Sequence, residues 1–182
     1  MWNLPNALTM LRIVLAPLLV VVLLTEFPDK EFWGLFIFLL AALTDLLDGI
    51  IARRTNRITV IGTMLDPIAD KLLMSAAFIS MVELALAPAW MVFCIVGREL
   101  AVTGLRMVAL ERGVAIAANQ WGKAKTGSQV VAVCLLIVSR QLGRWRVLSQ
   151  GALWVALALT LISLVVYFVS NWRVVAGPRT SE

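Results

Sequence analysis

The sequence predicts an all-α integral membrane protein, a bundle of six transmembrane helices forming a single domain over residues 1–182. Three observations lead there. Of the 182 residues 61% are hydrophobic and the mean hydropathy is +0.92, more apolar surface than a soluble domain of this size can bury. The apolar residues gather into six runs, each close to the roughly 20 residues that cross a bilayer core. No linker is long enough to divide domains, and no internal repeat or low-complexity tract is evident.

The spans are expected at about residues 6–25, 32–53, 62–86, 89–110, 122–140 and 149–170. The first opens on Asn3-Leu4-Pro5-Asn6, an N-cap signal with proline near the helix start. Asn6, Thr9 and Arg12 follow at spacings of three. They read equally as capping residues plus an arginine snorkelling to the interface, or as functional groups on one helix face. Thr25-Glu26-Phe27-Pro28 follows the run with no small-x-small pattern, so the segment reads as a span and not as a cleaved signal.

The second and third spans meet at an acidic centre. Asp45 and Asp48 are three residues apart, and Asp66 and Asp70 four apart, so each pair projects from one face of its helix. A turn over Arg54 to Ile61, with Asn56 and Arg57, would fold the helices into an antiparallel hairpin and bring the pairs together. Four converging carboxylates repel, and hard divalent cations neutralise such a cluster while leaving coordination positions for phosphate oxygens. Gly49, Ala52 and Gly62 would let a flat base or a pyrophosphate approach the backbone. The alternative is a solvated hairpin tip paired with Arg53, Arg54 and Arg57. Pro67, tolerated near a helix start, argues that Asp66 lies close to that start.

The fourth span holds Arg98 and Glu99 near its middle, where an unpaired charge costs several kcal/mol. Glu99, Thr103 and Arg106 share a face. Either Arg98 and Glu99 are a structural pair tying helices together, or they line a polar cavity. The fifth span begins Trp121-Gly122-Lys123-Ala124-Lys125-Thr126, where free N–H groups and two lysines make a phosphate seat, or the lysines are interfacial anchors. Beyond Thr126 the fifth and sixth helices are apolar and carry no acceptor signature.

Composition excludes several chemistries. With no histidine in the chain, there is no imidazole base, phosphohistidine intermediate or histidine metal ligand. Cys94 and Cys134 lie far apart in apolar runs and read as small hydrophobes. The net charge of +5 suits anionic lipid and an anionic substrate, and nothing points to nucleic acid. Eight basic residues (Arg53, Arg54, Arg57, Arg112, Lys123, Lys125, Arg173 and Arg179) stand against four (Lys30, Arg140, Arg144 and Arg146) on the other side. That places the termini and the acidic centre in the cytoplasm.

The spacing Asp45-x2-Asp48-Gly49-x2-Ala52-Arg53-x8-Gly62-x3-Asp66-x3-Asp70 resembles the signature of the CDP-alcohol phosphotransferases, with every fixed position filled. The resemblance implies a six-helix membrane bundle that works as a homodimer and transfers a substituted phosphate group from a CDP-linked donor to an alcohol, with release of CMP. It implies two divalent cations, Mg2+ or Mn2+, held by Asp45, Asp48, Asp66 and Asp70, with Asp70 also the catalytic base. Gly49, Ala52, Arg53 and Gly62 match the family's nucleotide-contacting positions. The start NLPNALTMLR, GREL with a downstream arginine, and GKAKT are most similar to the phosphatidylglycerophosphate synthase branch. That branch implies CDP-diacylglycerol as donor, sn-glycerol 3-phosphate as acceptor with its phosphate on Arg98, Arg106, Lys123 and Lys125, and a bacterial cytoplasmic membrane. The other readings are a different acceptor, phosphatidylglycerol (a cardiolipin synthase) or an inositol phosphate, and a cation transporter using the acids as an ion site.

Overall fold

The computed structural model describes the backbone of residues 4–55, 60–111 and 120–170, and side chains over 7–44, 67–107, 109, 124–143 and 145–170. The expected turn around Asn56 and Arg57 lies outside the described residues, as do Arg112, Arg173 and Arg179 of the charge argument. All described elements are helical. They are α1 Leu4–Leu24, α2 Lys30–Thr55, α3 Val60–Glu83, α4 Ala89–Glu111, α5 Gln120–Ile137 and α6 Arg146–Ser170, with a 3-10 turn at Gly143–Trp145 leading into α6.

α1 lies along both α2 and α3, which touch each other only slightly, while α5 packs along α6; α3, α4 and α5 join the two groups. α1 thus packs along both arms of the expected α2–α3 hairpin. Phe38 of α2, Phe78 of α3 and Leu19 of α1 are fully buried in the shared core, with Ile95, Leu136 and Leu153 from the other helices. At Gly34 an added Cβ would collide with Leu23 Cδ2, so the missing side chain permits the close approach of α1 and α2, as small residues do between membrane helices.

The outer surface inverts that of a soluble protein. Val14, Phe32, Ile79, Phe93, Val147 and Val169 each turn more than half of their surface outward. Over Ala7–Leu24 and Arg146–Ser170, α1 and α6 are long and apolar enough to cross a membrane. The four helices between them carry the charges from which the candidate site is built.

The loop between α1 and α2 is fixed by Lys30, which is buried and donates to Glu26 Oε1 at 2.6 Å; this hydrogen bond and the nearby ammonium charge hold the Glu26 carboxyl below its usual range. At the end of α3, Leu86 N–H donates to Met81 O and Ala85 N–H to Val82 O, both at 2.9 Å, a Schellman cap with Ala85 in the left-handed region at φ 55°. Alanine is strained there where glycine is not. Ala85→Gly should accordingly raise stability by about 0.5–1 kcal/mol, read as a shift in detergent-solubilised unfolding; a decrease would refute the strain.

Candidate active site

Helix geometry sets the acidic positions level. By rise along the helix, Asp45 and Asp48 stand about 15 and 10 Å before the last residue of α2, and Asp66 and Asp70 about 9 and 15 Å after the first residue of α3. The two pairs thus lie at matched distances from the connection between their helices. The side chains of Asp45, Asp48, Arg53 and Asp66, and the surroundings of Gly49, Ala52 and Gly62, lie outside the described residues.

α3 corrects one expectation. Because the helix begins at Val60, Pro67 sits about two turns inside it and not at its start. Having no N–H, the proline leaves the carbonyl four residues earlier without its helical donor. The two residues ahead of the expected start at Gly62 place the acids about 3 Å further from the start of α3 than that span implied.

α1 contributes polar groups at a similar depth. Thr9 is 3% exposed and Arg12 fully buried, about 7 and 12 Å along a helix wedged between α2 and α3. Arg12 does not snorkel to the interface. The side chain of Asn6, in the first turn of α1, lies outside the described residues.

Asp70 keeps 38% of its side-chain surface exposed, with Lys71 Nζ 3.6 Å from Oδ2. It faces a cavity of about 20 Å³ between α3, α4 and α5, whose polar lining is Asp70, Lys71, Ser75, Glu99, Thr126 and Gln129. This volume holds a water but no organic substrate.

Across the cavity Glu99 gathers a buried network. Its Oε1 receives Lys125 Nζ, Arg98 Nη1 at 3.3 Å and Gln129 Nε2 at 3.4 Å. Gln129 Nε2 also reaches Thr160 Oγ1 at 3.1 Å, and Arg98 Nη2 donates to Ser163 Oγ at 2.7 Å. Arg98 and Lys125 are 8% and 5% exposed; charges so enclosed are tolerable because Glu99 is shared between them. The structure therefore gives Arg98 and Glu99 both roles, since the pair ties α4 to α5 and α6 and Glu99 lines the cavity.

Of the four residues expected to hold the acceptor phosphate, Arg98 and Lys125 are brought together. Arg106 is on the same helix, about 12 Å further on by rise, and stays outside this network; its Nε is buried without a hydrogen-bond partner among the described residues. The Lys123 side chain lies outside the described residues. The lysine segment also differs from expectation. α5 begins at Gln120, so the backbone N–H groups of Lys125 and Thr126 fall past the first four residues, the ones without intrahelical partners. The Thr126 hydroxyl is spent on Gly122 O at 3.1 Å. Any phosphate contact at Lys125 is made by its ammonium.

Gln129, Thr160 and Ser163 were missed from sequence. The signal was present in spacing: Gln129 is four residues after Lys125, and Thr160 and Ser163 are three apart, each pair on one helix face.

The sequence model of the CDP-alcohol phosphatidyltransferase family matches residues 2–162. The chain belongs to this family. With it come dependence on divalent cations as a general family property and, together with the two long apolar helices, membrane residence. The chain is 42% identical to a CDP-diacylglycerol–glycerol-3-phosphate 3-phosphatidyltransferase of Bacillus subtilis, over 95% of this chain and 97% of that one. A protein of the same name from Rickettsia bellii is 34% identical over 91% and 93%. The second of that name in Arabidopsis thaliana is 37% identical over 94% and 81%.

Proposed function

We propose that this protein transfers the phosphatidyl group of CDP-diacylglycerol to sn-glycerol 3-phosphate, giving phosphatidylglycerophosphate and CMP. The observation that carries the acceptor assignment is the buried Arg98–Glu99–Lys125 cluster, whose Glu99 lines the cavity of Asp70 and so brings two cations next to a carboxylate base. The similarity to relatives named for this reaction supports the same reading.

In this reading the whole chain is one domain with six spans, working as a homodimer in a bacterial cytoplasmic membrane with the acidic centre toward the cytoplasm. The donor set fits hard divalent cations, Mg2+ or Mn2+, two in number: Asp45, Asp48, Asp66 and Asp70 offer only carboxylate oxygen, at matched levels on two neighbouring helices. Bound there, the ions would neutralise the donor pyrophosphate and the departing CMP. Gly49, Ala52, Arg53 and Gly62 take the cytidine nucleotide. Arg98, Arg106, Lys123 and Lys125 hold the acceptor phosphate, with Asn6 and Thr9 as further polar groups at the mouth. Asp70 removes the proton from the C1 hydroxyl of the acceptor, whose oxygen forms the new bond to phosphorus as the bond to CMP breaks. Direct displacement follows from the lack of an evident nucleophile for a covalent intermediate.

CMP release from CDP-diacylglycerol, measured with glycerol 3-phosphate, glycerol, phosphatidylglycerol and an inositol phosphate, tests the assignment. Free glycerol should be a very poor acceptor, because it leaves buried cations unpaired. Arg98→Ala or Arg106→Ala should raise the KM for glycerol 3-phosphate about tenfold or more, the worth of a charge-assisted contact, with CDP-diacylglycerol binding nearly intact. Lys123→Ala and Lys125→Ala should act in the same direction but less strongly. Comparable use of glycerol and glycerol 3-phosphate, or variants that lose the donor instead, would reopen the other acceptors.

A further inference from the structure

Glu99 stands between two sites that the acceptor has to touch at once. On one side it meets Arg98 and Lys125, and on the other it lines the cavity shared with Asp70. In glycerol 3-phosphate the phosphate is on C3 and the attacking hydroxyl on C1. An acceptor stretched from the cations to Asp70 therefore carries its C2 hydroxyl past Glu99. All three described donors to Glu99, from Arg98, Lys125 and Gln129, converge on Oε1. No described residue donates to Oε2. An ionised carboxylate offers about four lone-pair sites over both oxygens, so Oε2 retains accepting capacity.

We infer that Glu99 reads the C2 hydroxyl of the acceptor, making it a specificity-determining residue for a 1,2-diol phosphate. This rests on the proposed phosphatidyl transfer. Lys125, Arg98 and Gln129 hold the carboxylate through Oε1 and fix its direction, so an arriving hydroxyl meets an oriented acceptor in Oε2.

The experiment compares glycerol 3-phosphate with 1,3-propanediol phosphate, which keeps the attacking hydroxyl and the phosphate but lacks the C2 hydroxyl. CMP release is followed for wild type, Glu99→Gln and Glu99→Ala. Wild type should prefer glycerol 3-phosphate by about 10- to 100-fold in kcat/KM, the range for a hydrogen bond to a charged group. Glu99→Gln should lower that ratio about fivefold, since neutral hydrogen bonds are roughly half as strong, and Glu99→Ala should bring it near one. A ratio is insensitive to the fraction of enzyme that folds; for a variant that does not turn over, the same ratio is read from the Kd values of the two acceptors by calorimetry. A wild-type ratio within twofold of one, or an unchanged ratio in both variants, overturns the inference. Loss of both acceptors together also overturns it, because Glu99 would then serve only the phosphate site or the fold. If wild type does not use glycerol 3-phosphate at all, the proposed phosphatidyl transfer itself fails.

Discussion

Asp45→Asn, Asp48→Asn and Asp66→Asn should each lower turnover on the order of a thousandfold or more, because each removes one negative charge from a shared cation site while leaving side-chain shape unchanged. The three positions sit within about 15 Å of the α2–α3 connection on two helices, so each substitution should damage the same site. Metal-dependent binding of CDP-diacylglycerol should weaken in parallel with turnover. Binding measured with and without added Mg2+ or Mn2+ separates this effect from misfolding, since the metal-independent part of lipid binding should persist. Turnover within threefold of wild type for any one of the three would count against a catalytic cluster and favour the solvated hairpin tip.

Asp70→Asn should differ in kind. A base contributes in the transition state, so kcat should fall by about 10²–10⁴ while donor affinity changes little. The position of Asp70 supports that split: its carboxylate is more than a third exposed, lines the cavity with Glu99, and has Lys71 as its only described ionic partner at 3.6 Å. Single-turnover CMP formation with donor prebound isolates the chemical step. Loss of CDP-diacylglycerol affinity equal to the loss in kcat would make Asp70 chiefly a metal ligand.

Hydropathy alone located the helices well, because a run of about 20 apolar residues admits few other structures in lipid. The expected start of the fourth span at 89 and the observed Ala89 coincide. The largest boundary differences, three residues each, fall at the ends of α3 and α5 and at the start of α6. At the other end α3 begins at Val60 and α5 at Gln120, each two residues before the expected start, a difference within the ordinary uncertainty of a helix terminus. Spacing left two readings of Arg12 open, and its burial decides against the interface. Spacing puts a residue on a face but does not say which helix covers that face, and α1 turned out to be the helix enclosed between α2 and α3. For the same reason α6 read as featureless. Thr160 and Ser163 are unremarkable in an apolar helix until Gln129 and Arg98 are seen opposite them. One-dimensional pattern carries periodicity and depth, whereas partner choice is a property of packing.

The bonds from α6 to α4 and α5 also bear on how the chain enters its membrane. Synthesis proceeds from the N-terminus, so α4 and α5 emerge before Thr160 and Ser163 exist. During that interval Arg98 has no Ser163 to donate to, and Gln129 no Thr160; on the six-span reading proposed above, an arginine at the centre of its span costs about 2.5–3.5 kcal/mol even on the insertion scale. On that reading, release of α4 and α5 into bulk lipid is opposed until α6 follows, which favours their retention at the insertion machinery and joint release of all three. A nascent chain stalled before Thr160 would carry exposed polar groups within its hydrophobic segments, a feature by which membrane proteases can distinguish unfinished molecules from finished ones.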